Sequence, residues 1–299
     1  MTSNLEALTE INLDDLVSSF GWQNIPPLAH GLRRLFTQPA QKFARQMLGF
    51  DESVGESDLA EAARRLMKTH YVRDARVHGR EHVPADKPAL FLSNHPGMAD
   101  TLALFAAINR HDLRIIAVRR PFLETLQHTT RQLIFIDDDP AKRMNAVRQV
   151  SAHLKNGGAA LTFPAGKIEP DPDVYDGALD SLNEWTDSAG VFLRFARDAV
   201  IVPTLVSGVI WDASARHFLT RLKRERYDRE KLAAALQLLA MVVRDARPTT
   251  PHVRFAKPIT LEEVGSTEAQ AIHAAVLQRM RGLIENKPND DGVSAVHGD

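Results

Sequence analysis

The 299-residue chain contains no cysteine. That absence excludes disulfides, a thiol nucleophile and thiolate-bound metal, and it leaves the redox compartment open. A formal charge of −1 gives no global pull toward nucleic acid, so any anion binding has to be local. No apolar run approaches the roughly 18 residues of a membrane span, and the polar start "MTSNLEALTEINLDD" does not read as a signal peptide. Neither a G-x-G-x-x-G nor a P-loop pattern occurs, and no histidine has zinc-ligand spacing, so no nucleotide cradle or metal site is expected. There is also no internal repeat and no low-complexity segment. What remains, 44% hydrophobic and 25% charged, is the composition of a soluble or membrane-peripheral protein with a sizeable core.

Residues 1 to about 74 read as a helical N-terminal segment, broken at Pro26-Pro27, Gly49 and Gly55, with Pro39 opening a new helix. Leu28, Leu32, Leu35 and Phe36, then Phe43, Met47 and Leu48, keep helical spacing and are accompanied by Arg33, Arg34, Lys42 and Arg45. From about residue 75 the texture changes. "ALFLS" (89–93), "RIIAV" (114–118), "LIFID" (133–137), "AALTF" (159–163), "VIVPTLV" (200–206) and "HVRFA" (252–256) read as strands. Helices are expected between them at 100–110, 120–131, 140–156 and 188–198, then at 214–245 and 266–286. Strands apolar throughout, with helices between, predict an α/β fold whose mixed, mostly parallel sheet is covered on both faces. That domain is expected to span 75–286, with 287–299 a disordered tail. Trp185, Trp211 and Phe192 read as packing residues, and Arg221 to Lys231 as a solvated helix face.

The stretch "NHPGMAD" carries the chemistry. In an unbroken helix, residues five apart lie about 140° apart around the axis, so His95 and Asp100 would not meet. Pro96 disfavours helical geometry at His95 and suits the first helical position itself, which leaves His95 in a strand-to-helix turn. From there it can fold back on an aspartate in the first turn. One ring nitrogen is then held and the other left as a base, the orienting half of a catalytic triad without its serine. The alternative is a helix cap beside a buried histidine satisfied by a carboxylate.

Asn94-His95, four residues, then Asp100 resembles the first motif of the glycerolipid acyltransferases, the 1-acylglycerol-3-phosphate acyltransferase family. Three more stretches follow in that family's order: "LIFIDDD" is similar to Ile-Asp-Arg, "LTFPAGKIEP" to Phe-Pro-Glu-Gly-Thr-Arg, and "IVPTLVSG" to a strand ending at Val-Pro. The likeness spans about residues 75 to 258. It implies O-acyl transfer from a thioester, acyl-CoA or acyl-carrier protein as co-substrate, to the hydroxyl of a lysophospholipid-like acceptor, with no other cofactor. His95 would be the general base and Asp100 its orienter, with backbone N–H groups near Gly166 or the Pro96 turn meeting the oxyanion. It also implies phospholipid metabolism on the cytoplasmic side, with an inner membrane face as a further partner.

The motifs are altered where the family carries arginines associated with the acceptor phosphate. Asp138 follows Ile136-Asp137, and the third motif has Ala165, Lys167 and Ile168 in place of Glu, Thr and Arg. Substrate-side candidates are therefore Pro164, Gly166, Lys167 and Arg143, with Arg119 and Arg120 available to phosphates of a donor or headgroup. Downstream, "KIEPDPDVYDGALDSLNEWTD" holds seven acidic residues against one lysine. It reads either as a solvated acidic loop or as a repulsive wall favouring a neutral or cationic acceptor. An acceptor hydroxyl or amine without phosphate, a hydrolase, and a lipid-binding protein without turnover stay open beside the main reading.

Overall fold

The computed structural model describes residues 2–137, 139–288 and 291–297. Three helices come first: α1 (Thr2–Phe20), α2 (Pro26–Glu56) and α3 (Leu59–Thr69). Strand β1 (Arg76–His78) leads by a short 3-10 turn into β2 (Ala89–Ser93), α4 (Met98–Ile108) and β3 (Arg114–Val118). Two short helices, α5 (Pro121–Thr125) and α6 (Gln127–Thr130), precede β4 (Leu133–Ile136), α7 (Pro140–Lys155) and β5 (Ala159–Thr162). A long connection with α8 (Ala178–Ser181) and α9 (Ser188–Leu193) reaches β6 (Val200–Ser207). Then come α10 (Asp212–Ala215), α11 (Arg226–Arg244), β7 (His252–Phe255), α12 (Leu261–Val264), α13 (Ala269–Glu285) and β8 (Val293–Ser294).

The strands form one eight-stranded sheet in the order β4-β3-β5-β2-β6-β7-β1-β8. From β4 to β6 all neighbours are parallel; β7 runs antiparallel to β6, and β8 antiparallel to β1. The fold is thus α/β with a mixed, mostly parallel sheet and a helical N-terminal segment. Central strands β2, β5 and β6 are buried along nearly their whole length because both faces are covered, and alternate residues divide between two cores. Phe91, Leu161, Val202 and Val206 join the core under α1–α4, while Leu90, Leu92, Ile201 and Leu205 join that under α7, α9 and α13. Leu8, Phe43 and Met67 share the first core, so the N-terminal helices pack directly on the sheet.

Several expected boundaries are corrected. Helix α2 passes through Pro39, Gly49 and Gly55 without a break. Its buried stripe of Leu32, Ala40, Phe43, Ala44, Met47, Phe50 and Val54 is continuous across them. That packing outweighs the hydrogen bond lost at Pro39. Gly55 is where α6 crosses: a Cβ there would lie 2.4 Å from His128 Nδ1. The helix expected at 120–131 is split into α5 and α6, and that at 188–198 ends at Leu193. The stretch 214–245 opens with a short helix and a 3-10 turn before α11. The tail expected to be disordered supplies β8, which pairs with β1 and seats Ala295 and Val296 in the core. Trp211 is 37% exposed rather than packed, whereas Trp185 and Phe192 are buried.

Candidate active site

Parallel strands from β4 to β6 present their carboxyl ends on one side, where α/β sheets place their ligands. Strand β2 lies between β5 and β6, so the turn after it, Asn94–Gly97, is flanked by the chain leaving each neighbour. Asn94 locks this turn in place. Its amide donates to Val206 O at 2.8 Å and accepts from Val206 N at 2.7 Å, extending the β2–β6 ladder with a side chain. It is buried and serves the scaffold.

His95 Nδ1 stands 2.8 Å from Asp100 Oδ2. The helix starts at Met98, with Pro96 in the turn and Gly97 as N-cap, two residues later than Pro96 at the first helical position would give. Asp100 is fully buried; its Oδ2 also accepts from Gly97 N at 2.9 Å, and its Oδ1 from the Thr101 hydroxyl at 2.8 Å. Three donors and the helix N-terminus thus converge on this side chain. The imidazole therefore carries its proton on Nδ1 and keeps a lone pair on Nε2. Its side chain is 28% exposed, and its ring tilts over Phe163 with centroids 4.6 Å apart. Burial opposes protonation of His95, but the charge and hydrogen bond of Asp100, joined by the charge of Glu169, prevail and raise its pKa above the ordinary 6.5. Among the described residues no hydroxyl bonds to Nε2.

The acidic stretch is neither a uniform solvated loop nor a wall. Asp173, Asp176, Asp180, Glu184 and Asp187 are exposed, but Glu169 and Asp171 are buried at 2% and 0%. Glu169 Oε2 accepts from His95 N at 3.1 Å, and Glu169 N donates to His95 O at 2.9 Å. Its Oε1 faces Trp185 Nε1 at 2.7 Å and the Ser181 hydroxyl at 3.2 Å. Burial pushes the Glu169 carboxyl up to about 7, against the pull of Trp185, Ser181 and His95. Asp171 accepts from Gly208, Val209 and Ile210 at 2.8 to 2.9 Å and ties the chain after β6 to the same loop. Burial raises its pKa as well. Reading the sequence missed both. The available signal was "EPDP": each acid precedes a proline, which holds it extended, and residues two apart on an extended chain share a side.

The remaining candidates are brought together only in part. Gly166 sits in a turn after β5, with φ at +65° and its N–H donating to Phe163 O at 3.0 Å. Pro164 is buried, and its carbonyl holds Thr186. The N–H groups of Ala165, Lys167 and Ile168 in this turn donate to no acceptor among the described residues. Lys167 Nζ pairs with Glu184 at 2.6 Å. Arg119 pairs with Glu124 and lies over the Phe135 ring, 4.5 Å from its centroid. Arg120 is exposed beside it and near Asp15, whose carboxyl burial raises against the pull of Lys231 and Arg120. Arg143 is exposed on α7, and Asp138 lies outside the described residues. With strands about 4.8 Å apart, β3 ends about 10 Å and β4 about 14 Å from β2. Arg143 is therefore remote from the dyad.

Residues 74–207, from just before β1 to the end of β6, match the Acyltransferase family model. No curated protein matches the chain. A solved structure that aligns with it is the 1-acyl-sn-glycerophosphate (LPA) acyltransferase PlsC from Thermotoga maritima. That alignment has 15% identity and a TM-score of 0.42, and covers 94% of this chain and 99% of that one.

Proposed function

Since residues 74–207 match the Acyltransferase family model, we propose that this chain moves a fatty acyl group from an acyl thioester to the hydroxyl of a lysolipid-like acceptor. The observation that supports this is the His95–Asp100 pair, 2.8 Å apart at the end of the central strand, with no protein nucleophile on Nε2. The acceptor hydroxyl approaches Nε2, gives up its proton and attacks the thioester carbonyl. The imidazolium formed faces the Asp100 carboxylate, which offsets the charge inside a poorly solvated pocket. The carbonyl oxygen becomes an oxyanion, for which the N–H groups of the 165–168 turn are the donors at hand. Collapse of the tetrahedral species breaks the carbon–sulfur bond, and the departing thiolate takes the proton back from Nε2. Acylated acceptor and free thiol leave.

The acceptor we assign lacks a terminal phosphomonoester. Such a group carries nearly two charges at neutral pH and is best met by free arginines. Here Lys167 and Arg119 already have acidic partners. A thiol-release assay suits this chain, because a protein without cysteine adds no thiol background. With a long-chain acyl-CoA and a panel of lysolipids, release should require the acceptor and yield acylated lipid. Equal release without any acceptor would make the protein a thioesterase and overturn the reading.

A further inference from the structure

The Glu169 carboxyl lies in a position that acyl transfer by His95 does not by itself require. It meets the main chain of His95 at two points: Oε2 accepts His95 N at 3.1 Å, and Glu169 N donates to His95 O at 2.9 Å. This reciprocal grip joins the turn after β2 to the chain after β5, and among the described residues no other holds both main-chain groups of His95. We propose that Glu169 is a positioning residue, gripping the main chain of His95 on both sides and so setting where its imidazole stands over Asp100. The proposal rests on the acyl-transfer reading for its kinetic consequence, but not for the grip itself.

The proton count around Oε1 adds a second point. The Ser181 hydroxyl has one proton and two acceptors in reach, Ala178 O at 2.8 Å and Glu169 Oε1 at 3.2 Å. Given to the nearer carbonyl, that proton leaves a serine lone pair facing Oε1. The contact is then favourable when Oε1 itself carries a proton. Turned instead toward Oε1, the same proton serves the carboxylate, so rotation of one hydroxyl accommodates both forms of a carboxyl that burial pushes up to about 7. The ionisable group facing Glu169 is His95, while Trp185 and Ser181 are neutral; His95 in turn faces Asp100 and Glu169. The two titrations are thus coupled, and the charge lent to His95 is present only at the alkaline end.

The test compares Glu169→Ala, Glu169→Gln and Glu169→Gln/Trp185→Phe. Glutamine can still accept from His95 N and donate to Ser181, but its NH2 meets the Trp185 N–H; phenylalanine removes that clash. Glu169→Ala should lower kcat about 100-fold with little change in KM, as expected when a base is misplaced. The double variant should recover kcat to within about fivefold of wild type. The His95 ring resonances, identified by their loss in His95→Ala, give the readout independent of turnover. They should titrate in two steps in the wild type, and in one step at lower pH in the glutamine variants. Superimposable titrations, or an unchanged kcat in Glu169→Ala, would overturn the proposal. Should the alanine variant not fold, the glutamine pair carries the decision. A wild type with no acceptor-dependent release would fell the acyl-transfer reading alone, since the His95 titrations would still decide on the grip.

Discussion

Replacing Asp100 with asparagine separates the charge of the dyad from its geometry. The asparagine oxygen can occupy the place of Oδ2, accepting from His95 Nδ1 and Gly97 N, while its NH2 replaces Oδ1 and meets the Thr101 hydroxyl, which can turn to accept. The turn then keeps its shape and the negative charge is gone. During transfer the imidazolium would face a neutral amide in a pocket where Asp100 is fully buried. Losing a charged partner at such a site costs about 2–5 kcal/mol, or roughly 30-fold to several-thousand-fold in kcat. The pH dependence has a definite sign. The pKa of His95 is raised with Asp100 present, so its removal shifts the acid limb of the rate profile to lower pH, because the base stays neutral further down. The same raised pKa means that the pair contributes stability fully below the ordinary histidine value of 6.5, and loses it as pH rises through the folded pKa. Wild type should therefore exceed Asp100→Asn in urea stability by more at pH 5 than at pH 9. Thiol release across that range reads the rate, and urea unfolding reads the rest. A folded variant within threefold of wild type at every pH would refute the dyad.

His95→Ala should abolish acceptor-dependent release yet leave the melting temperature close to wild type, since the ring is 28% exposed and lies outside the apolar cores; a variant that retains near-normal turnover would remove His95 as the base. Glu169 predicts an unusual pH dependence of stability: its folded pKa, about 7, lies above the ordinary 4.5, so its contribution is complete below 4.5 and falls by about 3 kcal/mol as pH rises to 7. Urea unfolding of Glu169→Gln should lack that decline, and parallel curves for the two proteins would contradict it. No helix among the described residues is long and apolar enough to cross a membrane, but Leu28, Leu35 and Leu222 are exposed at 43%, 68% and 75%. If these side chains meet a bilayer, sedimentation with anionic vesicles should drop in Leu35→Ser/Leu222→Ser and fall with salt; equal binding to neutral vesicles would leave no electrostatic share to Arg34 and Arg45.

The central strands were legible because they are buried on both faces: "ALFLS" and "IVPTLV" show no alternation, and that is the mark of such a strand. The dyad was legible for a local reason, since Pro96 bars a continuous helix and Asp100 then falls in the first turn. What escaped was set by tertiary contacts. β1 is three residues long and includes an arginine and a histidine, so no periodicity marks it; only the resemblance, whose lead-in strand falls at "VHGREHVPADK", pointed to it, and pairing with β7 and β8 makes it a strand. Pro39 reads as a helix start, yet α2 carries it internally because the stripe on either side packs as one surface. Glu169 and Asp171 were lost among acidic neighbours, where composition cannot tell a buried carboxylate from a solvated one. Their backbone partners, His95 and Gly208–Ile210, lie 37 to 74 residues away in sequence.

Sheet order separates the chemistry from the choice of acceptor. His95, the proposed base, sits at the end of β2, beside β5 and β6, while the stretch after β4 lies at the far edge, about 14 Å away. Alterations there and at Lys167 can therefore change which headgroup is read without touching the His95–Asp100 pair. The sharpest case is Lys167, whose ammonium is held by Glu184 at 2.6 Å while both side chains are about half exposed, at 48% and 49%. A pair so exposed contributes at most about 1 kcal/mol, so releasing the lysine is worth a factor of up to about five. Glu184→Gln should raise the use of 1-acylglycerol-3-phosphate relative to a lysolipid without a terminal phosphomonoester by two- to fivefold, roughly the range an exposed pair permits. The His95 titration should not move. Wild type is expected to favour the acceptor without the phosphomonoester in direct competition at equal concentration. A wild type that prefers the phosphomonoester tenfold, with the preference lost in Lys167→Ala, would mean that Lys167 binds phosphate despite Glu184. An acceptor ratio unchanged by Glu184→Gln would mean that the headgroup never reaches this turn.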